Sequence, residues 1–200
     1  MKRIENISNK INFIGSWYID NDELFEKIIT FFENNKHLHN QGAIDSGISL
    51  LEKKTTDLTV DPVDLKDKQF YFLNDYFIEL LKCYNDYKIQ WPFISENIKT
   101  VDIPSFNIQR YLPGDHFSKI HTERSSTSTS HRIFAWMTYL NDLNDDAGGC
   151  TNFQHFNIKI KPQKGKTLIW PAEWTHAHSG EVLNSGKKYI ITGWMCFPFN

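Results

Sequence analysis

The feature that most constrains the fold is a series of short apolar segments in the second half of the chain. Each segment is rich in β-branched or aromatic residues, and turn-forming pairs such as Pro113-Gly114 and Gly148-Gly149 separate them. Many short strands joined by loops predict a sandwich or a barrel. The predicted strands are SFNIQRYL (105–112), RIFAWMTYL (132–140), FNIKI (156–160), KTLIW (166–170) and KYIITGWMCF (188–197).

The first half of the chain has a different pattern, because its apolar residues recur with helical spacing. One helix is predicted through ELFEKIITFFEN, with Asp20 or Asp22 as its N-cap. A second helix is predicted from Asp67 to about Tyr87, where large apolar residues follow the 3.6-residue period. Glycine and proline interrupt residues 36–66, which predicts an irregular connection with one short strand.

These patterns predict an α+β protein with its N-terminal helices packed on one sheet. The composition, 40% hydrophobic and 14% aromatic, is sufficient for a sizeable core. No linker-like composition accompanies the change of pattern near residue 92, so residues 1–200 are expected to form a single domain. Within it, residues 1–100 are expected to be a mainly helical support and residues 101–200 the β-structured core.

Charge and cysteine content narrow the classes of function. The formal net charge of −2 predicts no basic face for nucleic acid. The first fifteen residues lack the apolar stretch of a signal peptide, and no apolar run is long enough for a membrane span. Cys83, Cys150 and Cys196 are odd in number and far apart, which argues against a disulfide framework. A cytoplasmic location is therefore expected.

Three histidines and one carboxylate suggest a metal site. His121 and Glu123 are two residues apart, so at the end of an extended strand both side chains point to one side. A third ligand would come from His176 or His178, which are expected to share a strand face, so spacing alone does not choose between them. Two histidines and one carboxylate leave three positions open on a metal, as in non-haem Fe(II) oxygenases. The alternative is that these are ordinary surface or hydrogen-bonded core histidines.

Further motifs lie before and after His121 and Glu123 in a fixed order along the chain. They are Tyr111-x-x-Gly114, Arg132, Tyr139-Leu140-Asn141, Gly148-Gly149-x-Thr151-x-Phe153, Pro162-x-x-Gly165, His178, Gly186-Lys187-Lys188-Tyr189 and Trp194. As a set, over about residues 105–197, they resemble the prolyl-4-hydroxylase-like branch of the Fe(II)- and 2-oxoglutarate-dependent oxygenases. The resemblance implies a double-stranded β-helix, or jelly-roll, as the catalytic core in residues 101–200.

The resemblance also implies the iron ligands. His121 and His178 match the family's two histidines, and Glu123 stands where the family most often has aspartate. His178 is preferred over His176 because it lies ten residues before Lys188 and opens the phrase His-x-Gly, as in similar sequences. The longer Glu123 side chain still provides an anionic oxygen, although its reach differs from that of aspartate.

For the co-substrate, the resemblance implies that Lys188 binds the C5 carboxylate of 2-oxoglutarate. A buried dianion requires a cation and further donors. The positions that match hydroxyl donors of the family are Tyr111, Tyr139 and Thr192; Thr192 follows Lys188 by four residues and so lies on the same strand face. The alternative is that these are ordinary strand residues and that Lys188 is a solvated edge lysine. Lys187 would point to the opposite face of the strand.

The expected activity is hydroxylation of an unactivated C–H bond with Fe(II), O2 and 2-oxoglutarate, and with ascorbate as an accessory reductant. The expected substrate is a peptidyl residue such as proline, or an amino-acid-like small molecule. Two alternatives stay open at this point. One is a metal dioxygenase that does not use 2-oxoglutarate, and the other is a non-catalytic β-sandwich binding module with a vestigial metal site.

Overall fold

The computed structural model describes residues 1–4, 11–44 and 47–198. Its helices are α1 (Asp22–Asn34), α2 (Leu73–Gln90) and α3 (Pro92–Asn97). Its strands are β1 (Lys2–Arg3), β2 (Gly15–Tyr18), β3 (His39–Gln41), β4 (Thr56–Val60), β5 (Phe106–Tyr111), β6 (Phe117–His121), β7 (Arg132–Tyr139), β8 (Thr151–Phe153), β9 (Ile158–Ile160), β10 (Lys166–Pro171), β11 (His178–Gly180) and β12 (Lys188–Cys196).

Two antiparallel sheets form the body of the molecule. The larger has eight strands in the order β1-β2-β10-β7-β12-β5-β4-β3, and the smaller has four in the order β6-β11-β8-β9. Apolar residues of both sheets pack between them, including Met137 and Ile190 from the large sheet and Phe153 and Ile160 from the small one. The predicted jelly-roll core is confirmed, because the two antiparallel sheets pack face to face.

The large sheet is buried on both faces because its strands alternate between two cores. On β7, Phe134 and Trp136 face the helices, whereas Ala135 and Met137 face the small sheet. Residues of α1 and α2 complete the first of these cores. The prediction that the N-terminal helices pack on one sheet is therefore confirmed. In the part of the chain described, no helix is both long enough and apolar enough to cross a bilayer.

Both predicted helices are present, but their beginnings differ from the prediction. Asn21 caps α1 by accepting a hydrogen bond from the Leu24 backbone N–H, so the choice of Asp20 or Asp22 was wrong. The second helix begins at Leu73 and not at Asp67. The preceding residues instead form tight turns in which some N–H groups bond the carbonyl three residues back, as from Phe70 to Asp67 and from Leu73 to Phe70.

The described residues among the first hundred also contribute four strands to the large sheet, so a mainly helical description of them is incomplete. The described part of the connection 36–66 holds two strands, β3 and β4, where one was predicted. β4 pairs along β5 and extends the sheet beside the cavity described below. The strands β6, β8 and β11 were not predicted, because three to five residues of mixed polarity carry almost no periodic signal.

Candidate metal centre and co-substrate cavity

The candidate metal centre lies on the small sheet, where β6 and β11 pair. His121 ends β6 and stands directly opposite His178, which begins β11. The pairing register shifts between His178 and Gly180. Glu123 follows β6 by two residues, so its side chain returns to the side on which His121 points. Sequence spacing anticipated this convergence of His121 and Glu123.

The ligand atoms of His121, Glu123 and His178 all lie within 4.8 Å of one another. Glu123 Oε1 is 3.3 Å from His178 Nε2 and 3.8 Å from His121 Nε2. The Nδ1 atom of His121 is 2.8 Å from the Lys119 carbonyl, and that of His178 is 2.9 Å from the His176 carbonyl. A carbonyl only accepts, so both Nδ1 atoms carry the proton, and in neutral rings both Nε2 atoms present lone pairs to the carboxylate.

The charges at this cluster favour a cation between the three groups. Burial lowers the pKa of His121 to about 4, and the nearby His178 ring acts in the same direction, so His121 is neutral at pH 7. Burial alone would raise the pKa of Glu123, but the hydrogen bond from His178 and the charges of both imidazoles outweigh it and lower the pKa to about 2. An ionised carboxylate and two imidazole Nε2 atoms therefore lie within 4.8 Å of one another. This donor set fits a divalent transition metal with open positions.

His176 does not share a strand face with His178, contrary to the prediction. It ends a short 3-10 turn, Trp174–His176, and only His178 enters β11. The His176 ring is buried, with Nε2 2.8 Å from the Asn12 carbonyl and Nδ1 3.0 Å from the Thr175 hydroxyl. Both ring nitrogens therefore have partners away from Glu123, and this ring ties the N-terminal segment to the strand that carries His178.

A cavity of about 800 Å³ opens beside these three residues and lies between the sheets. Lys188, the first residue of β12, reaches its wall with only 3% of its surface exposed. The Lys188 ammonium donates to the Gly149 carbonyl at 3.0 Å and lies 3.8 Å from the centre of the Tyr111 ring. Gly149 has a φ of +71°, and a side chain there would press on Leu183, so glycine allows this carbonyl to face the lysine.

The surroundings of Lys188 fit an added carboxylate. Burial lowers the pKa of the lysine to about 8, which reflects an ammonium without a close counter-ion. Among the described residues, no carboxylate lies within ion-pair distance of it, and its ammonium has donors to spare beyond the bond to Gly149. A buried cation in this state is a ready partner for an anionic ligand. Lys187, in contrast, is exposed.

The three predicted hydroxyl donors occupy different places. Tyr111 lines the cavity and donates to Gln109 Oε1 at 3.0 Å. Thr192 also lines it, but its hydroxyl donates to the Trp136 carbonyl at 2.8 Å. Tyr139 is fully buried behind the wall, with its hydroxyl 2.7 Å from that of Thr151.

Two polar residues of the wall were missed by the sequence prediction. Thr151, which belongs to the Gly-Gly-x-Thr motif, stands between Tyr139 and the cavity. Gln109 links Tyr111 to Asp57, which in turn pairs with Lys53 at 2.8 Å. The strand period could have placed Gln109 on the face of Tyr111, but no motif distinguished it.

Comparison with known proteins agrees with this geometry. Residues 106–196 match the family model described as the 2OG-Fe(II) oxygenase superfamily. Among curated proteins, the chain is 29% identical over 139 residues to the multifunctional procollagen lysine hydroxylase and glycosyltransferase of Rattus norvegicus. That match covers 68% of this chain and 18% of the rat protein, so the chain spans less than a fifth of that relative's length.

Solved structures show the same fold. The viral collagen prolyl hydroxylase from Paramecium Bursaria Chlorella virus-1, in its 2-oxoglutarate complex, has a TM-score of 0.65 and 19% identity and covers 92% of this chain and 96% of its own. A prolyl-4-hydroxylase of Pseudomonas putida has a TM-score of 0.72 and 13% identity and covers 94% of both chains. Fe(II) and 2-oxoglutarate are the metal and co-substrate that this family implies. Residues 106–196 thus match the 2OG-Fe(II) oxygenase superfamily, and the chain has the double-stranded β-helix fold of the prolyl hydroxylases.

Proposed function

We propose that this protein is an Fe(II)- and 2-oxoglutarate-dependent hydroxylase that acts on a peptide-bound residue such as proline. One observation carries the proposal. Three convergent metal ligands, His121, Glu123 and His178, border the same cavity as a buried lysine that has no carboxylate partner among the described residues. A metal site alone fits many activities, and a buried lysine alone fits many pockets. Their combination fits a co-substrate that binds the metal at one end and a cation at the other.

In this proposal each residue has a defined task. His121, Glu123 and His178 would hold Fe(II), and all three line the cavity. Lys188 binds the C5 carboxylate, and Tyr111, under the ammonium, limits its movement. Fe(II) with 2-oxoglutarate and O2 supplies the oxidising power for C–H hydroxylation. The protein contributes orientation and electrostatics, and the apolar walls formed by Met137, Trp170 and Ile190 keep bulk water away.

The part of the cavity that is formed by β3, β4 and β5 supports a neutral, amide-rich substrate. Its wall carries uncharged polar side chains from β3, β4 and β5, namely Asn40, Gln41, Thr59, Asn107 and Gln109. The charges of Lys53 and Asp57 cancel in a buried pair, and Lys119, which also lines the cavity, pairs with Glu52. Amide and hydroxyl groups can donate hydrogen bonds to a peptide main chain and accept them from it. They provide no counter-ion for the charged groups of a free amino acid. This composition favours a peptidyl residue over a free amino acid.

A free amino-acid-like substrate is the second candidate, and Arg132 is the observation that favours it. The Arg132 guanidinium lines the cavity and makes one described hydrogen bond, from Nη1 to the Glu123 carbonyl at 2.9 Å. Its other N–H groups could bind a substrate carboxylate.

The test is turnover with Fe(II), 2-oxoglutarate, O2 and ascorbate, across proline- and lysine-containing peptides and the free amino acids. Succinate release and the mass of one added oxygen atom are the measurements. Oxygen added to a peptide supports the proposal, and oxygen added only to free amino acids supports the second candidate. A protein that binds Fe(II) but releases no succinate with any of them would instead be a binding module with a vestigial metal site. The cytoplasmic location stays a prediction.

A further inference from the structure

Glu123 uses its two carboxylate oxygens for different partners. Oε1 faces the imidazoles of His121 and His178, whereas Oε2 accepts a hydrogen bond of 2.6 Å from the indole Nε1 of Trp194. Trp194 is on β12, in the large sheet, and Glu123 follows β6 of the small sheet. The bond therefore crosses from one sheet to the other at the edge of the candidate metal centre.

Arg132 fixes both members of this bond. Its guanidinium carbon lies 3.7 Å from the centre of the Trp194 ring, which is cation–π contact. Its Nη1 also donates to the backbone carbonyl of Glu123 at 2.9 Å. The Arg132 guanidinium thus packs its face on the indole and donates from its edge to the main chain of Glu123. These two contacts fix the orientation of the indole N–H relative to the Glu123 carboxylate.

We propose that Trp194, oriented by Arg132, is a positioning residue that occupies Glu123 Oε2 and so leaves only Oε1 to the metal. The inference rests on the metal site of the proposed function. It explains how a glutamate serves where similar sequences have aspartate. Aspartate would place its carboxylate about 1.5 Å further back, which would stretch a 2.6 Å hydrogen bond beyond the hydrogen-bonding range. The glutamate and the tryptophan are therefore matched to each other.

The test is a double-mutant cycle on metal affinity. Mn(II) binding is measured anaerobically by calorimetry for the parent, Trp194→Phe, Glu123→Asp and the double variant. Groups that orient a metal ligand contribute about 10- to 100-fold in metal affinity, so Trp194→Phe is expected to weaken Mn(II) binding by that factor. In the Glu123→Asp protein the same change is expected to have little further effect, because the shorter carboxylate no longer reaches the indole. Trp174→Phe, at a tryptophan that is 67% exposed, is the control for loss of an indole.

The outcomes separate the positioning role from the metal site itself. If the parent protein binds no Mn(II), the metal site of the proposed function fails. If the parent binds and Trp194→Phe has no effect, or has the same effect in both backgrounds, only the positioning role is refuted.

A second measurement does not depend on the stability of Trp194→Phe. In metal-free protein labelled with 15N-tryptophan, the Trp194 indole resonance is expected to move upfield in Glu123→Ala, because the N–H loses its anionic acceptor. An unmoved resonance would also refute the role.

Discussion

Replacement of Lys188 by methionine tests the co-substrate site most directly. Methionine has a similar length and no charge, so it fills the space that alanine would leave empty. A charge-assisted hydrogen bond contributes roughly 1.5–3 kcal/mol net. Its loss should therefore weaken 2-oxoglutarate binding by roughly 10- to 150-fold. Metal affinity should not change, because the described contacts of the Lys188 ammonium are with Gly149 and Tyr111, and Lys188 is not a member of the metal cluster.

The shifted pKa of Lys188 adds a pH dependence with a definite sign. Burial lowers this pKa to about 8, while Cys150 and Glu181 oppose the shift. The ammonium that binds 2-oxoglutarate is thus present below pH 8 and is lost as the pH rises through 8. Affinity should fall by about fivefold between pH 8 and pH 9 and by nearly tenfold for each further pH unit, because one bound proton accompanies the ligand. Lys188→Arg should remove this dependence, because a guanidinium stays charged, although its fork needs more room.

The assay is anaerobic titration of the Fe(II) protein with 2-oxoglutarate, followed by the visible charge-transfer band of the complex. Lys187→Ala is the matched control, because Lys187 is the neighbouring lysine and is exposed. Equal affinities of Lys188→Met and the parent, or a loss confined to Lys187→Ala, would refute the assignment. A pH profile as steep in Lys188→Arg as in the parent would show that another group titrates.

Three further predictions follow from the geometry. His178→Ala should abolish tight Mn(II) binding, measured by calorimetry. His176→Ala should keep Mn(II) binding but lower the thermal unfolding temperature, because His176 anchors the N-terminal segment. Glu123→Ala should lose nearly all succinate release, because two neutral imidazoles hold the ion without an anion. Asp57→Ala should lower the free energy of unfolding by about 3–5 kcal/mol, measured in urea, because it leaves Lys53 buried and unpaired.

Each of these predictions has an outcome that would contradict it. Loss of metal in His176→Ala with retention in His178→Ala would reverse the choice of histidine. Undiminished succinate release in Glu123→Ala would remove that residue from the metal. For the buried pair, Lys82→Ala is the comparison, because its ion pair with Glu79 is exposed on α2 and should contribute about 1 kcal/mol at most. If both variants lost the same free energy of unfolding, burial would not determine the cost of breaking an ion pair.

The parts of the site that were predictable depend on local geometry. The period of a strand places Lys188 and Thr192 on one face, and a separation of two residues places His121 beside Glu123. The order of the motifs along the chain then indicated that these two pairs, which are distant in sequence, belong to one site. Helix starts were less predictable, because Asn21 and its neighbouring aspartates are similar caps and only the backbone geometry selects one.

Contacts between strands far apart in sequence were not predictable. Gln109 faces Asp57 because β4 and β5 pair in one register, and that register is a property of the whole sheet. The bond from Trp194 to Glu123 likewise depends on how the two sheets face each other. The position of His176 was missed for a similar reason, since a carbonyl from Asn12 holds its ring away from the metal cluster.

The pairing of His121 with His178 has a consequence for folding. The two strands that bear these residues are joined through residues 122–177, so their meeting closes a long loop at a cost in chain entropy. An ion shared by both imidazoles binds the closed form and not the unfolded chain. At about a hundred times its dissociation constant, such a ligand adds roughly 2.7 kcal/mol to the folded state. The concentration of available iron would then affect the stability of the small sheet, in addition to the turnover rate of the enzyme.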